Sequence, residues 1–208
     1  MITASNDLPA LILAGGRSSR MGQNKADLPL AGKTILGHVV DRLAPQVISI
    51  VLNAPEASED LSGLRLVPDL RPGQAGPLEG VLAGLLDLQA QDTDASHLVT
   101  VPCDSPFLPL DLVARLKADA GPETIAVATS DGRTHPVFAL WPKSIADDLE
   151  NWLVNPDNRR LRAFLDRHST VYVDFPILDI GGEMLDPFLN INTPEDLALA
   201  KRFTEALR

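Results

Sequence analysis

The alternation of short apolar runs with helical patterns constrains the fold of this chain more than any other feature. Four runs have the length and composition of buried β-strands: "PALILA" (9–14), "VISIVLN" (47–53), "LRLVPD" (64–69) and "HLVTVPCD" (97–104). Amphipathic helical spacing follows the first, third and fourth of these runs. Because strands that alternate with helices build parallel sheets, the pattern predicts an α/β fold with helices on both faces of the sheet.

The second half of the chain adds an antiparallel element. The segment "TIAVATSDGRTHPVFALW" (124–141) is typical of a β-hairpin that turns at Asp131-Gly132. It is followed by two amphipathic stretches (143–154 and 159–167), a strand (170–175), a Gly181-Gly182 turn and a helix that starts at Thr193. We therefore expect a three-layer, Rossmann-like α/β fold with a mostly parallel, mixed sheet flanked by helices. It should form a single domain over residues 1–208, with a flexible N-terminus at 1–8.

Composition excludes several classes of protein. The formal net charge of −10 argues against affinity for nucleic acid or for anionic membranes. A single cysteine, Cys103, excludes an internal disulfide framework and a multi-cysteine zinc site. We interpret Cys103 as a small buried side chain rather than as a nucleophile. The first residues lack the pattern of a secretion signal, and no apolar run approaches the ~18 residues of a spanning helix. These features predict a cytoplasmic protein.

A basic loop follows the first strand. In "LILAGGRSSRMGQNK" (11–25), two glycines precede Arg17, Arg20 and Lys25, and no acid lies among them. Glycines at a strand end let backbone N–H groups approach an anion, and the basic side chains add charge-assisted hydrogen bonds. Such a loop could hold a triphosphate, and by itself it is equally compatible with a solvated surface.

Asp104 supports the interpretation of the basic loop as a triphosphate site. It follows the apolar strand in "VTVPCDSPFL", where a carboxylate is costly without a partner. Mg²⁺ commonly binds through one or two carboxylates plus substrate phosphates, although an Asp before Ser-Pro also caps turns. Ligands of parallel sheets bind at the carboxyl ends of the strands, so the basic loop and Asp104 together predict a magnesium nucleotide site.

Two segments resemble other nucleotide motifs without meeting their requirements. "AGKT" (31–34) lacks the P-loop glycine five positions before its Gly-Lys pair, because Asp27 stands there. We interpret Gly32-Lys33 as a turn and Thr34 as a helix cap. The first loop also lacks the G-x-G-x-x-G pattern of dinucleotide-binding proteins.

The first loop, Leu13-Ala14-Gly15-Gly16-x-Ser-x-Arg-Met-Gly-x-x-Lys, resembles the signature of nucleotidyltransferases with a GT-A-like fold. Among them, the chain most resembles the molybdenum cofactor guanylyltransferase family, over about residues 9–200. Seven further segments carry that resemblance: "NAPE" (53–56), "VPD" (67–69), "GPLEG" (76–80), "VPCDSPFLP" (101–109), "GRTHPVFAL" (132–140), "NRRLRAFL" (158–165) and "NINTPEDL" (190–197).

The resemblance implies transfer of GMP from GTP to the terminal phosphate of molybdopterin that carries molybdenum, with release of pyrophosphate. It also implies Mg²⁺ as the cofactor, and transient contacts with the proteins that deliver and accept the pterin are expected. The nucleophile is already a phosphate anion, so positioning and charge neutralisation carry the catalysis.

Chemistry and resemblance together suggest which residues act. Arg20, Lys25 and Asp104 are the expected catalytic residues, with Asp104 as the metal ligand. The expected nucleotide contacts are Leu13, Ala14, Gly15, Gly16, Lys25, Asn53, Asp69, Gly76, Gly80 and Asp104. A carboxylate such as Asp69 can accept both hydrogens on the N1–H and amino edge of guanine, although a backbone group could do the same.

The expected contacts to the pterin substrate are His135, Arg159, Arg160, Asn190 and Asn192. If Arg159 and Arg160 lie on a helix, they point about 100° apart, and only one of them should bind phosphate. Asn190 and Asn192 share one side of an extended segment, where they could touch the pterin or complete the metal site, or they could be turn and cap residues. His135-Pro136 could instead be a surface His and an edge-strand Pro.

Three other functions compete with this interpretation. A cytidylyltransferase acting on the same cofactor would differ in its base pocket. In this chain, the resemblance of "GPLEG" to the guanylyltransferase family favours guanine. A sugar-phosphate nucleotidyltransferase would usually be longer. A nucleotide-sensing module without turnover would not need both the basic loop and Asp104.

Overall fold

The structure, a computed structural model, describes residues 7–14, 25–55, 63–71 and 76–207. The β-strands are β1 (Pro9–Leu13), β2 (Pro29–Leu30), β3 (Lys33–Thr34), β4 (Ser49–Asn53), β5 (Arg65–Leu66), β6 (His97–Pro102), β7 (Ile125–Ser130), β8 (Arg133–Pro142), β9 (Thr170–Asp174), β10 (Leu178–Ile180) and β11 (Glu183–Leu185). The α-helices are α1 (Ile35–Leu43), α2 (Pro77–Ala90), α3 (Leu112–Asp119), α4 (Ala146–Leu153), α5 (Leu161–Leu165) and α6 (Pro194–Ala206). Short 3-10 helices span Lys25–Asp27, Ala44–Gln46 and Lys143–Ile145.

Seven strands form the central sheet, in the order β5-β4-β1-β6-β8-β7-β9. Strand β8 is antiparallel to both of its neighbours, β6 and β7, whereas the other pairings are parallel. The antiparallel strand comes from the hairpin, which turns at Asp131 (φ 47°) and Gly132 (φ 70°). The predicted mixed, mostly parallel sheet is therefore confirmed.

Helices cover both faces of the sheet, as the alternating pattern predicts. Ala10 and Ile12 of β1 belong to the apolar cluster that includes α1 and α3, whereas Leu11 and Leu13 belong to the cluster that includes α2, α4 and α5. Successive side chains of one strand thus enter two different cores, which is why the strand sequence is continuously apolar.

A third apolar cluster joins the β2–β3 hairpin to α6, with Leu30 and Phe203 among its buried members. Helix α6 begins with a capping box. The Thr193 hydroxyl accepts from the Asp196 N–H at 3.1 Å, and the Asp196 carboxylate accepts from the Thr193 N–H at 2.9 Å. The helix therefore starts where the sequence predicts.

The "AGKT" segment forms part of the β2–β3 hairpin and the start of α1. Ala31 (φ 48°) and Gly32 (φ 93°) make the turn, one residue earlier than predicted, and Lys33 lies in β3. The Lys33 ammonium pairs with Asp41 on α1. The Thr34 hydroxyl caps α1 by accepting the Gly37 N–H at 3.0 Å, so the predicted cap is confirmed.

Two predicted boundaries are wrong. The strand predicted over 64–69 is limited to Arg65–Leu66. The helix predicted over 159–167 starts only at Leu161, and Arg160 precedes it with extended backbone (φ −80°, ψ 113°). Within the described part of the chain, no helix combines the length and apolar character needed to span a bilayer.

Candidate active site

The carboxyl ends of β1, β4 and β6 lie side by side at one edge of the sheet. Leu13 of β1 pairs with Asn53 of β4 on one side and with Pro102 of β6 on the other. The Ala14 N–H donates to the Asn53 carbonyl (2.8 Å), and the Cys103 N–H donates to the Leu13 carbonyl (3.1 Å). Since the chain leaves β1 towards β4 and returns through α2 to β6, strand order reverses here, where such sheets bind ligands.

The predicted phosphate loop continues from this edge. Leu13 ends the buried strand β1, and Ala14 is half-buried beyond it. Most of the loop lies outside the described residues, including Gly15, Gly16, Arg17 and Arg20. The side chain of Lys25 is also outside the described part of the structure. Their contacts with phosphate stay predictions.

Asn53 and Asp69 form one hydrogen-bonded unit at the ends of β4 and β5. Asn53 is buried, with 3% of its surface exposed. Its carboxamide nitrogen donates to the Val67 carbonyl and to Asp69 Oδ1, both at 2.9 Å. The fold thus brings together two residues that the sequence places in the nucleotide site but does not pair.

The glycine-flanked opening of α2 packs against this unit. A Cβ added to Gly80 would lie 2.4 Å from Asn53 Oδ1 and 2.6 Å from Leu13 Cδ2, so only glycine allows this approach. Gly76 lies further out, where an added Cβ would be 3.9 Å from the Arg159 carbonyl oxygen. Gly80 therefore acts by close packing of α2 on β1 and β4.

A buried carboxylate on this turn is absent from the residues predicted from the sequence. Glu79 is 3% exposed, and its Oε1 lies 3.5 Å from Arg71 Nη1. Burial raises the pKa of Glu79, the Arg71 charge opposes this shift, and the Asp69 charge adds to it. The available signal in the sequence is an acid in the first turn of α2, whose other residues up to Leu86 are apolar or glycine.

Asp104 lies just beyond β6 and is tied to the segment that precedes α6. Its carbonyl accepts the Ile191 N–H at 2.9 Å, and the neighbouring Ser105 hydroxyl donates to Asn190 Oδ1. Asn190 is half-buried beside the Asp104 loop, and Asn192 is exposed. The buried Ile191 between them enters the third apolar cluster. Through Ser105, the structure therefore places the Asn190 side chain beside the Asp104 loop.

His135 is part of a hydrogen-bonded group at the same edge. The buried Ser130 hydroxyl donates to Asp186 Oδ1 at 2.9 Å, and its oxygen lies 2.7 Å from His135 Nε2. Because the hydroxyl has a single hydrogen, Nε2 carries the imidazole proton and donates to Ser130. Burial lowers the pKa of His135, and the Asp186 charge opposes this shift. The ring also packs against Phe188 at 4.6 Å between centroids.

The interpretation of Pro136 as an edge-strand residue is wrong. Strand β8 lies between β6 and β7 in the sheet. Proline is tolerated there because the register between β7 and β8 shifts after Val127, so that Ala128 pairs with His135. A residue without an N–H is accommodated in such an irregular region of a ladder.

The two adjacent arginines lie in the connection between α4 and α5, before the helix on which they were expected. The Arg159 guanidinium donates to the Pro156 carbonyl at 2.7 Å, and its charge lowers the pKa of Glu79. Arg160 is exposed. Arg159 therefore lies near the opening of α2, at the end of the edge where Asn53 and Asp69 are found.

Known proteins resemble this chain over most of its length. Residues 10–171 match the family of the MobA-like NTP transferase domain. The molybdenum cofactor guanylyltransferase of Rhizobium rhizogenes is 51% identical over 97% of this chain and 94% of its own length. The chain is a member of the molybdenum cofactor guanylyltransferase family. The Rhizobium meliloti protein of the same name is 50% identical over 93% of this chain and 90% of its own length.

Solved structures share the fold of this guanylyltransferase family member. The molybdopterin-guanine dinucleotide biosynthesis protein A of Archaeoglobus fulgidus has a TM-score of 0.73 and 24% identity, over 95% of this chain and 99% of that one. The 4-diphosphocytidyl-2C-methyl-D-erythritol synthase of Anaerococcus prevotii has a TM-score of 0.67 and 16% identity, over 95% and 96%. These likenesses confirm the predicted nucleotidyltransferase fold.

Proposed function

We propose that this protein transfers GMP from GTP to the terminal phosphate of molybdenum-bearing molybdopterin, forming the guanine dinucleotide and releasing pyrophosphate. One observation carries the proposal. The strand end that leads into the basic loop, the Asn53–Asp69 unit and the Asp104 loop meet at a single sheet edge. The relatives named molybdenum cofactor guanylyltransferase support it, since two of them are 50–51% identical to this chain over most of its length.

The reaction needs no strong base. A phosphate oxygen of the pterin forms a bond to the α-phosphorus of GTP. The bond from that phosphorus to the oxygen that bridges to the β-phosphate breaks, and pyrophosphate leaves with the electron pair. The attacking oxygen is already an anion at neutral pH, so the protein must align two polyanions and offset their repulsion.

The residues of the chain divide this work. The backbone N–H groups after Leu13 hold the phosphates, and Arg20 and Lys25 balance the charge that develops on the α-phosphorus and on pyrophosphate. Asn53 and Asp69 hold the guanosine. Because Asn53 is buried and donates two hydrogen bonds, this part of the site is organised before the nucleotide binds.

Asp104 fits the role of magnesium ligand. It is a half-buried carboxylate directly beyond a fully buried strand, with the side chain of Asn190 held nearby through Ser105. Among the described residues, no three His, Cys, Asp or Glu side chains cluster as a metal cage. Mg²⁺ typically binds one or two carboxylates plus substrate phosphates, for which Asp104 and GTP suffice. Asp104 would hold the ion, which would supply positive charge to offset the negative charge of the phosphates.

The pterin lies, in this proposal, on the side of the edge formed by His135 and Asn190. The segment from Asp186 to Asn190 connects these two residues, since Asp186 accepts from Ser130 and Asn190 accepts from Ser105. Asn192 and Arg160, the exposed members of the predicted pterin contacts, are available to the substrate from solvent. Transient contacts with the proteins that deliver and accept the cofactor would form around this opening.

Product analysis tests the proposal. The full chain is incubated with molybdopterin, molybdate, magnesium and each of GTP, CTP and ATP, and the dinucleotide and pyrophosphate are identified. We expect the guanine dinucleotide, and GTP with magnesium should raise the unfolding temperature more than CTP or ATP. A preference for CTP would instead identify a cytidylyltransferase, and transfer only to sugar phosphates would identify the second competing enzyme.

A further inference from the structure

Glu79 has an unsatisfied oxygen in a buried position. The residue is 3% exposed in the first turn of α2, and its Oε2 has no hydrogen-bond partner among the residues that the structure describes. A buried carboxylate oxygen without a donor is costly to the fold. A ligand that supplies the missing donor would remove this cost.

The surroundings of Glu79 belong to the nucleotide end of the site. Its Oε1 lies 3.5 Å from Arg71 Nη1, at the outer limit of a hydrogen bond, so this oxygen is only weakly occupied. The next residue, Gly80, is in close contact with Asn53 and Leu13. The charge of Asp69, which is bonded to Asn53, also acts on Glu79.

We propose that Glu79 selects the base, its carboxylate accepting the N1–H and the 2-amino N–H of guanine. This inference rests on the proposed function. Guanine alone among the four bases presents two adjacent donors on this edge, whereas adenine and cytosine place an acceptor beside their amino group. An ionised carboxylate has acceptors only, so it matches guanine and repels the other edges. Asp69 is less suited, because its Oδ1 already accepts from Asn53.

The electrostatics of Glu79 agree with this role. Burial raises the pKa of the Glu79 carboxyl, and the nearby Arg71 favours the ionised form. Two N–H donors from a bound guanine would favour that form further. In the empty site the buried charge opposes folding, so Glu79→Gln should leave the unfolding temperature unchanged or raise it.

Nucleotide analogues test the inference by binding alone. Calorimetry with magnesium and without a pterin acceptor compares GTP with ITP, which lacks the 2-amino group, and with XTP, which has a carbonyl there. The wild-type protein should bind GTP tightest, ITP next and XTP weakest. In Glu79→Gln, GTP affinity should fall about 10- to 100-fold, as expected for lost bonds to a charged group. XTP should then overtake GTP, because the amide N–H₂ donates to the new carbonyl.

Asp69→Asn is the matched control. It should weaken all three nucleotides without changing their order, and a change of order there instead of in Glu79→Gln would overturn the inference. Equal wild-type affinity for GTP and ITP would overturn it without any variant. If the wild-type protein forms the guanine dinucleotide but Glu79→Gln still prefers GTP, only this inference fails. If Glu79→Gln binds XTP more tightly than GTP but the wild-type protein forms no dinucleotide, base selection by Glu79 is supported and the proposed pterin acceptor is refuted.

Discussion

Replacement of Gly80 by alanine tests how closely α2 must approach the nucleotide site. The new Cβ would lie 2.4 Å from Asn53 Oδ1 and 2.6 Å from Leu13 Cδ2. The first distance is 1.0 Å short of the 3.4 Å at which ordinary contact begins. Asn53 cannot simply rotate away, because its carboxamide donates to Val67 and Asp69. The substitution must therefore shift the helix or break the Asn53–Asp69 unit.

The expected cost follows from three opposing effects. Overpacking a core costs about 1–3 kcal/mol. A hydrogen bond lost from Asn53 costs about 1 kcal/mol more, and alanine returns up to about 1 kcal/mol of helix propensity relative to glycine. A net loss of about 2 kcal/mol lowers Tm by roughly 4–8 °C for a chain of this size.

Gly84→Ala, one turn further along α2, separates stability from binding. The atoms nearest to its added Cβ would belong to two apolar side chains, with Leu11 Cδ2 at 2.7 Å and Leu98 Cδ2 at 2.8 Å. We expect thermal unfolding to show a loss of stability in both variants and calorimetry to show weaker GTP binding in Gly80→Ala alone. A Gly80→Ala protein with wild-type Tm and wild-type GTP affinity would refute the close-approach argument.

Three further predictions concern the metal ligand, a buried histidine and a helix cap. Asp104→Asn should keep the wild-type Tm but reduce guanylyl transfer about 100-fold or more, and near-normal turnover would remove Asp104 from the metal role. Burial lowers the pKa of His97 below its ordinary 6.5, so the folding stability present above that pH should be lost as pH falls through it. His97→Gln should flatten this dependence in denaturant titrations at about pH 7 and 5.5, and an unchanged slope would contradict it. Thr193→Ala should destabilise the protein by about 1 kcal/mol in the same titrations, because the α6 capping box is lost, whereas Thr204→Ala, nearer the end of α6, should not.

Features that depend on neighbouring residues were predictable from the sequence. The hairpin turn at Asp131-Gly132, the cap at Thr34 and the start of α6 at Thr193 follow from local backbone and side-chain chemistry. Boundaries were less accurate where tertiary contacts decide them, as at Arg160, whose extended backbone precedes α5. The assignment of all 208 residues to one domain stays a prediction, as do the contacts of Arg20 and Lys25.

The sequence by itself determined the kinds of element and the chemistry at the strand ends. Apolar periodicity is local, so an apolar run that stops before Gly15-Gly16 or before Asp104 can be recognised without knowing its neighbours. Only the tertiary structure decided which of these ends meet. Asn190 reaches Ser105 across 85 positions of sequence, and Asn53 bonds to Asp69 in the segment that follows the adjacent strand β5. The burial of Glu79 also depends on tertiary structure, because α2 packs across β1 and β4. The residues around "GPLEG" alone do not reveal that packing.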